Sequence, residues 1–315
     1  MRAYIIKRLI TLVPVLFGVT ILTFILIHMV PVDPAQAYMT ACKIPITEKA
    51  LASVRVELGL DRPLVEQYVS WLGKAVQLDF GKSYVSQDPV FQEITHSFPN
   101  TMLLTLAAFS WLILISLPLG FLSAVFKDSP FDHLSRIFTF VGASIPGFWL
   151  GFLLIQLFAM KLNILPIMGK GSWQHLVLPS LTLALNYAAT YTRILRAGVL
   201  ENLNQPFILY AEARGLKQRI IFGKHAFKNA LLPVVNAFGV SFGYMLAGSV
   251  VVEVVFAWPG LGRLITSSVF NRDYPMIQGY VLLMAIVFVI SNLLADIIST
   301  LIDPRIRIGD DKVAA

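Results

Sequence analysis

Thr101–Phe126 reads TMLLTLAAFSWLILISLPLGFLSAVF, without a single Asp, Glu, Lys, Arg or His. A helix satisfies its own backbone donors and acceptors, so an apolar run longer than the roughly 20 residues that cross the hydrocarbon reads as a membrane span. Ile137–Met160 and Ala230–Val252 are equally free of ionisable residues. Leu9–Val30 follows Arg2, Lys7 and Arg8 and precedes Ala35-Gln36-Ala37, which together imitate a secretory signal. Its apolar run exceeds the roughly 7–15 residues of a signal core, so it is expected to stay as a first span. Leu176–Thr192 is short but uncharged, with Arg193 and Arg196 at its end able to snorkel. Met276–Ile302 is interrupted only by Asp296. The sequence thus predicts an all-α, polytopic transmembrane bundle of six spans, a single membrane domain over residues 1–315.

The whole chain agrees: 57% of its 315 residues are hydrophobic, 14% are charged and the mean hydropathy is +0.73. A net charge of +7 would suit nucleic acid, but the basic residues lie between apolar runs too long for a soluble basic domain. An even number of spans puts both termini on one side. Arg2, Lys7, Arg8, Lys127, Arg136, Arg193, Arg196, Arg214, Lys217, Arg219, Lys224, Lys228, Arg305, Arg307 and Lys312 fall on that side, while the longer opposite segments hold fewer. The positive-inside bias therefore places both termini in the cytoplasm. The single Cys42 excludes an intrachain disulfide, and the five histidines show no metal-ligand spacing. No Gly-x-x-x-x-Gly-Lys-[Ser/Thr] phosphate loop occurs, so the chain is not itself an ATP motor.

Two connections have a character of their own. The outer segment 31–99, between the first two spans, is expected to be partly helical. Thr47 would cap a helix to Leu58 that ends at Gly59, and Leu64, Tyr68, Trp71, Leu72 and Ala75 form a stripe on a second from Pro63 to Val76. The inner segment 197–229 is strongly basic and helical in propensity around Tyr210–Leu216. Ala211 and Gly215, four apart, would share a face that a partner approaches closely, with Arg214, Lys217 and Arg219 framing it. A solvated loop obeying the charge bias is the alternative on pattern alone. Within the spans, Asp296, Asn292, Asn186, Tyr187 and Asn236 are candidate pathway residues, or else hydrogen-bond between helices. Prolines 14, 118, 146, 179 and 233 permit bends.

Several blocks then carry a resemblance. Ala211 and Gly215 followed by Asn229-Ala230-Leu231-Leu232-Pro233 resemble the cytoplasmic coupling loop of ABC-importer permeases. Leu58–Leu64, Asp79-Phe80-Gly81, Ser144–Trp149, Phe256–Arg263, Asn271–Pro275 and Asp303-Pro304-Arg305-Ile306 are similar to the dipeptide, oligopeptide and nickel branch of that family. Glu57–Asp61, Leu78–Gly81 and Gly171-Ser172-Trp173-Gln174-His175 look nearest to nickel permeases. Two departures stand out: Leu209 replaces the acidic member of the family's Glu-Ala-Ala opening, and Ala230 replaces the Ile before Leu-Pro.

The resemblance implies a permease subunit of a bacterial inner membrane, not an enzyme, importing nickel, a metal chelate or short peptides. It implies a second permease, two cytoplasmic ATPases contacted through Ala211, Glu212, Ala213, Arg214, Gly215 and Leu216, and an extracytoplasmic binding protein. The chain would sit among membrane lipids, bind no cofactor or nucleic acid, and leave ATP to its partners. An autonomous secondary transporter or channel is the alternative, although the internal repeats and paired midplane charges common in such proteins are missing.

Overall fold

The computed structural model describes residues 2–302; the side chains of residues 2–9, 11, 232, 236, 295, 296 and 298–302 fall outside the described set, as does the closing Asp303–Ile306 block. The described residues form helices and no strand. In chain order these are α1 (Arg2–Met29), α2 (Pro34–Ala41), α3 (Glu48–Glu57), α4 (Leu64–Val76), α5 (Val90–Val125), α6 (Pro130–Ser144), α7 (Gly147–Leu154), α8 (Gln174–Leu203), α9 (Pro206–Ala213), α10 (Gln218–Ile220), α11 (Phe227–Val255), α12 (Leu261–Phe270) and α13 (Tyr274–Ile302). The wider π-type turns Ile155–Lys161 and Ile221–Ala226 continue α7 and lead into α11. Leu12–Met29, Val90–Val125, Ala237–Val255 and Tyr274–Leu294 are each long and apolar enough to cross a bilayer.

The expected third span, Ile137–Met160, is not one straight helix. It is broken into α6 and the α7 segment, bent by 113°. Pro146 lacks an amide hydrogen and pushes the preceding residue out of the helical region, so Ile145 is extended (ψ 127°) and α6 stops at Ser144. Counted as one span, this pair is a fifth candidate. The helix expected at Leu176–Thr192 is longer, running on through Arg193 and Arg196 to Leu203.

The chain divides into two compact units. The first comprises residues up to Thr101 with Pro259–Ile290. Here the helices of residues 31–99 form where their caps lie. Thr47 accepts from the Ala50 amide at 3.2 Å, and Gly59 (φ +68°) ends α3 with Leu60 N donating to Arg55 O. Asp33 caps α2 and pairs with Arg55 at 2.5 Å; Asp33 followed by Pro34 is the start signal for this helix, which the sequence reading did not draw. The expected stripe on α4 is half realised: Tyr68 meets Thr20 (2.9 Å) and the Phe24 ring on α1 while Leu64 stays exposed. Asp273 is buried at the start of α13, where its carboxylate accepts from Ser83 Oγ (2.5 Å) and the amides of Tyr84 (3.0 Å) and Met276 (3.4 Å). Burial, and then that carboxylate, raise the Tyr84 phenol above its ordinary range.

The second unit comprises Met102–Trp258 and the chain from Ser291 onward. Its axis is α8, against which α6, α7 and α11 pack. Small residues permit the closeness: a Cβ on Gly142 of α6 would stand 2.8 Å from that of Ala189, and one on Gly120 of α5 only 2.9 Å from that of Leu195. One continuous core runs from Leu104 and Leu112 of α5 through Ala184, Ala188 and Leu195 of α8 to Val234 and Met245 of α11.

Candidate functional site

The connection between α8 and α11 is a folded element. Pro206 supplies the first residue of α9, where its missing amide hydrogen costs nothing and its fixed φ suits the helix. The helix ends after Ala213: Arg214 caps it and Gly215 takes φ +74°. The Gly215 amide then donates to Glu212 O (2.8 Å) and the Leu216 amide to Ala211 O (3.2 Å), the pair of bonds that closes a Schellman turn. Ile221 and Ala226 of the π-type turn are wholly buried, and Gly198 of α8 passes close to Ala230 of α11.

This overturns one sequence expectation. Ala211 and Gly215 do not share an outward helix face, because the helix ends before Gly215 and Ala211 (4% exposed) points into the core with Ile208. The outward surface is made by Leu209, Tyr210, Glu212, Ala213 and Arg214. Leu209 and Tyr210 stand 64% and 66% exposed, with the Arg214 guanidinium 5.8 Å from the Tyr210 ring centroid. Gln218 donates to Glu212 Oε1 at 3.3 Å, tying the helix to the following turn. An apolar and aromatic patch edged by Arg214, Lys217 and Arg219 thus sits on a base continuous with two long helices.

The candidate pathway residues whose side chains are described stand at separate places between helices. Asn186 Nδ2 donates at 2.8 Å to Ile145 O, the carbonyl freed where α6 breaks, so Asn186 fastens the bend to α8. Its neighbour Tyr187 serves α11, its hydroxyl lying 3.8 Å from where a Cβ on Gly248 would stand. Tyr191 shares a 2.6 Å hydrogen bond with Ser241, also between α8 and α11. Asn292 Oδ1 is buried without a partner. The side chains of Asn236 and Asp296 lie outside the described residues.

Charges that the sequence reading passed over are buried instead. Asp132, fully buried in the first turn of α6, receives Arg196 of α8 through two bonds of 2.6 and 2.7 Å, so Arg196 is paired rather than snorkelling. Its signal was the run Ser129-Pro130-Phe131-Asp132, in which Ser129 accepts from the Asp132 amide. Glu253, one residue past an uncharged run, is fully buried and accepts from Ser249 Oγ at 3.1 Å. No group of three His, Cys, Asp or Glu among the described residues is placed to hold a metal ion. In the block that looked most nickel-like, His175 Nδ1 accepts from the Ser172 amide at 3.1 Å, closing a local turn.

The chain is similar to known proteins. The family described as "Binding-protein-dependent transport system inner membrane component" matches residues 116–308, and that described as "Binding-prot-dependent transport system membrane comp, N-term" matches residues 1–105. The glutathione transport system permease protein GsiC of Escherichia coli (strain K12) is 42% identical over 307 residues, 98% of this chain and 99% of that protein. Its counterpart in Shigella flexneri serotype 5b (strain 8401) is equally similar, with the same coverage. Among solved structures, an inward-facing MetNI methionine ABC transporter chain is similar with TM-score 0.56 and 20% identity, over 67% of this chain and 96% of that one. A chain of an amino acid ABC transporter with histidines follows at TM-score 0.53 and 20% identity, over 68% and 94%.

Proposed function

The chain belongs to the family of binding-protein-dependent transport system inner membrane components, and from that premise we propose that it forms half of a translocation pathway for short peptides. It is a multi-pass permease of an ATP-driven importer. A second permease supplies the other half, two ATPases dock at α9 and the turn after it, and an extracytoplasmic binding protein delivers substrate. The observation that carries the docking is the rigid base under α9: Ile208 and Ala211 are locked into the core of α8 and α11 while Leu209, Tyr210 and Arg214 face outward. A push on that patch moves long helices rather than a loop.

Six spans with both termini cytoplasmic fit this assembly. The four long apolar helices, the bent α6 and α7 pair and the 30-residue α8 would supply the spans, and the basic series from Arg193 to Lys228 the orientation. For the substrate, relatives whose name is glutathione permease favour a small peptide. The test is purification in mild detergent with ATPase assay, then uptake by vesicles rebuilt with all recovered subunits. Recovery of a nucleotide-binding subunit and a second permease, with ATP-dependent uptake of labelled glutathione, is expected. A chain that purifies alone and moves solute without ATP would overturn the importer reading; uptake of a nickel chelate and no peptide would overturn the substrate.

A further inference from the structure

The second unit holds a cavity of about 310 Å³ that none of the proposed transport roles uses, walled by Ser135, Arg136 and Thr139 of α6 and Thr192, Arg193 and Arg196 of α8, with Phe140 at its edge. Arg196 is turned to Asp132. Arg136 and Arg193 make no salt bridge among the described residues and stand exposed at the rim. Thr139 and Thr192 donate to carbonyls of their own helices, at Arg136 and Ala188. Ser135 is 96% buried by its 4% residual exposure, and its hydroxyl has no partner. A buried hydroxyl without a partner carries a desolvation cost that a bound acceptor relieves. The cavity therefore offers two exposed guanidinium groups and one unmet hydroxyl, while Asp132, which Arg136 also helps to hold ionised, is bonded to Arg196, and Asp128 acts on that same Arg196.

Its surroundings say where the anion comes from. Leu134, Ile137, Phe140 and Val141 make an exposed apolar stripe on α6, and the opposite face of that helix, with Asp132, Ser135 and Thr139, packs on α8. In a membrane protein such a stripe meets acyl chains, so the arginine rim lies where apolar surface gives way to charge, the level of phosphate headgroups. We propose that this cavity binds the headgroup of an anionic phospholipid, phosphatidylglycerol or cardiolipin. Arg136 and Arg193 hold the phosphate, the Ser135 hydroxyl donates to it, and the acyl chains lie along the stripe of α6. The site depends only on membrane embedding, so it stands or falls separately from the peptide substrate.

The test uses the complex purified with its partner subunits, stripped of lipid and titrated with phosphatidylglycerol, phosphatidylcholine or inorganic phosphate, with bound adducts read by native mass spectrometry. Phosphatidylglycerol should be retained over phosphatidylcholine, and the double variant Arg136→Ala with Arg193→Ala should lose about tenfold or more of that retention. Ser135→Ala leaves the charges in place and should lose a smaller part, about threefold. Because Arg136 and Arg193 are exposed and make no salt bridge among the described residues, the double variant is expected to elute as the intact complex; Ser135→Ala is the second route if it does not. Equal retention of both lipids, or a double variant that keeps its adduct, would overturn the site. Binding of inorganic phosphate without phosphatidylglycerol would assign the cavity to a free anion instead. Cross-linking of Phe140→Cys to another permease chain would assign the stripe to a subunit interface.

Discussion

Helices α3 and α9 stop in the same way, at Gly59 and Gly215, each with a left-handed residue that lets the next amide reach back to the last turn. What lies beneath them differs. The α3 helix rests on a small cluster with Ala35, Met39 and Val54, and its region is tied by the rim pair Arg55 and Asp33. The α9 helix sinks Ile208 and Ala211 into the core that also contains Leu195 and Val199 of α8 and Ala230 and Val234 of α11. One local device thus ends two helices with different support: one rests on a small cluster of its own unit, and the other is sunk into a core shared with long helices.

The largest contrast is expected between the two Arg–Asp pairs. Asp132→Ala strands Arg196, whose side chain is only 19% exposed, and should cost about 3–5 kcal/mol, seen as a large drop in the thermal midpoint in detergent. Arg55→Ala, at 49% exposure, should cost about 0–1 kcal/mol. Equal losses would mean the two regions are supported alike. Next come the glycines. Valine at either position is strained by about 1–3 kcal/mol, but only Gly215→Val should lower transport per ATP hydrolysed in vesicles. Loss of coupling with Gly59→Val as well would erase the distinction.

Smaller effects refine the picture. Asn186→Ala deprives the Ile145 carbonyl of its partner at the α6 break and should cost about 1 kcal/mol, measurable as faster proteolysis near Pro146. Thr47→Ala should cost about 0.5–1 kcal/mol, confined to α3 in hydrogen exchange, whereas Gln205→Ala should change nothing because α9 has no side-chain cap.

What the sequence revealed follows the range of the forces involved. Thr47, Gly59 and the uncharged runs act within one helix, so they were readable directly. Gly215 was misread for want of the rule already applied at Gly59: a glycine followed by Leu216 ends a helix as readily as it thins a face. The short helix α12, between Gly260 and Asn271, also went unread, because only its buried Leu261, Gly262, Ile265 and Ser268 distinguish it from a loop. Pro146 announced a bend, but the donor that meets the freed Ile145 carbonyl is Asn186, 41 residues along the chain from Ile145. Asp132 and Asp273 escaped notice because their partners Arg196 and Ser83 are distant along the chain. Folding, not spacing, brings them together.

The most direct measurement places a photo-activated cross-linker at Tyr210 in the assembled complex, with matched positions at the buried Ile208 of α9 and the exposed Val56 of α3. If the outward face of α9 is where ATP hydrolysis is felt, the adduct at Tyr210 contains an ATPase subunit, while those at Ile208 and Val56 do not. An ATP-hydrolysing complex with no such adduct at Tyr210, or with an equal yield at Val56, would contradict that assignment.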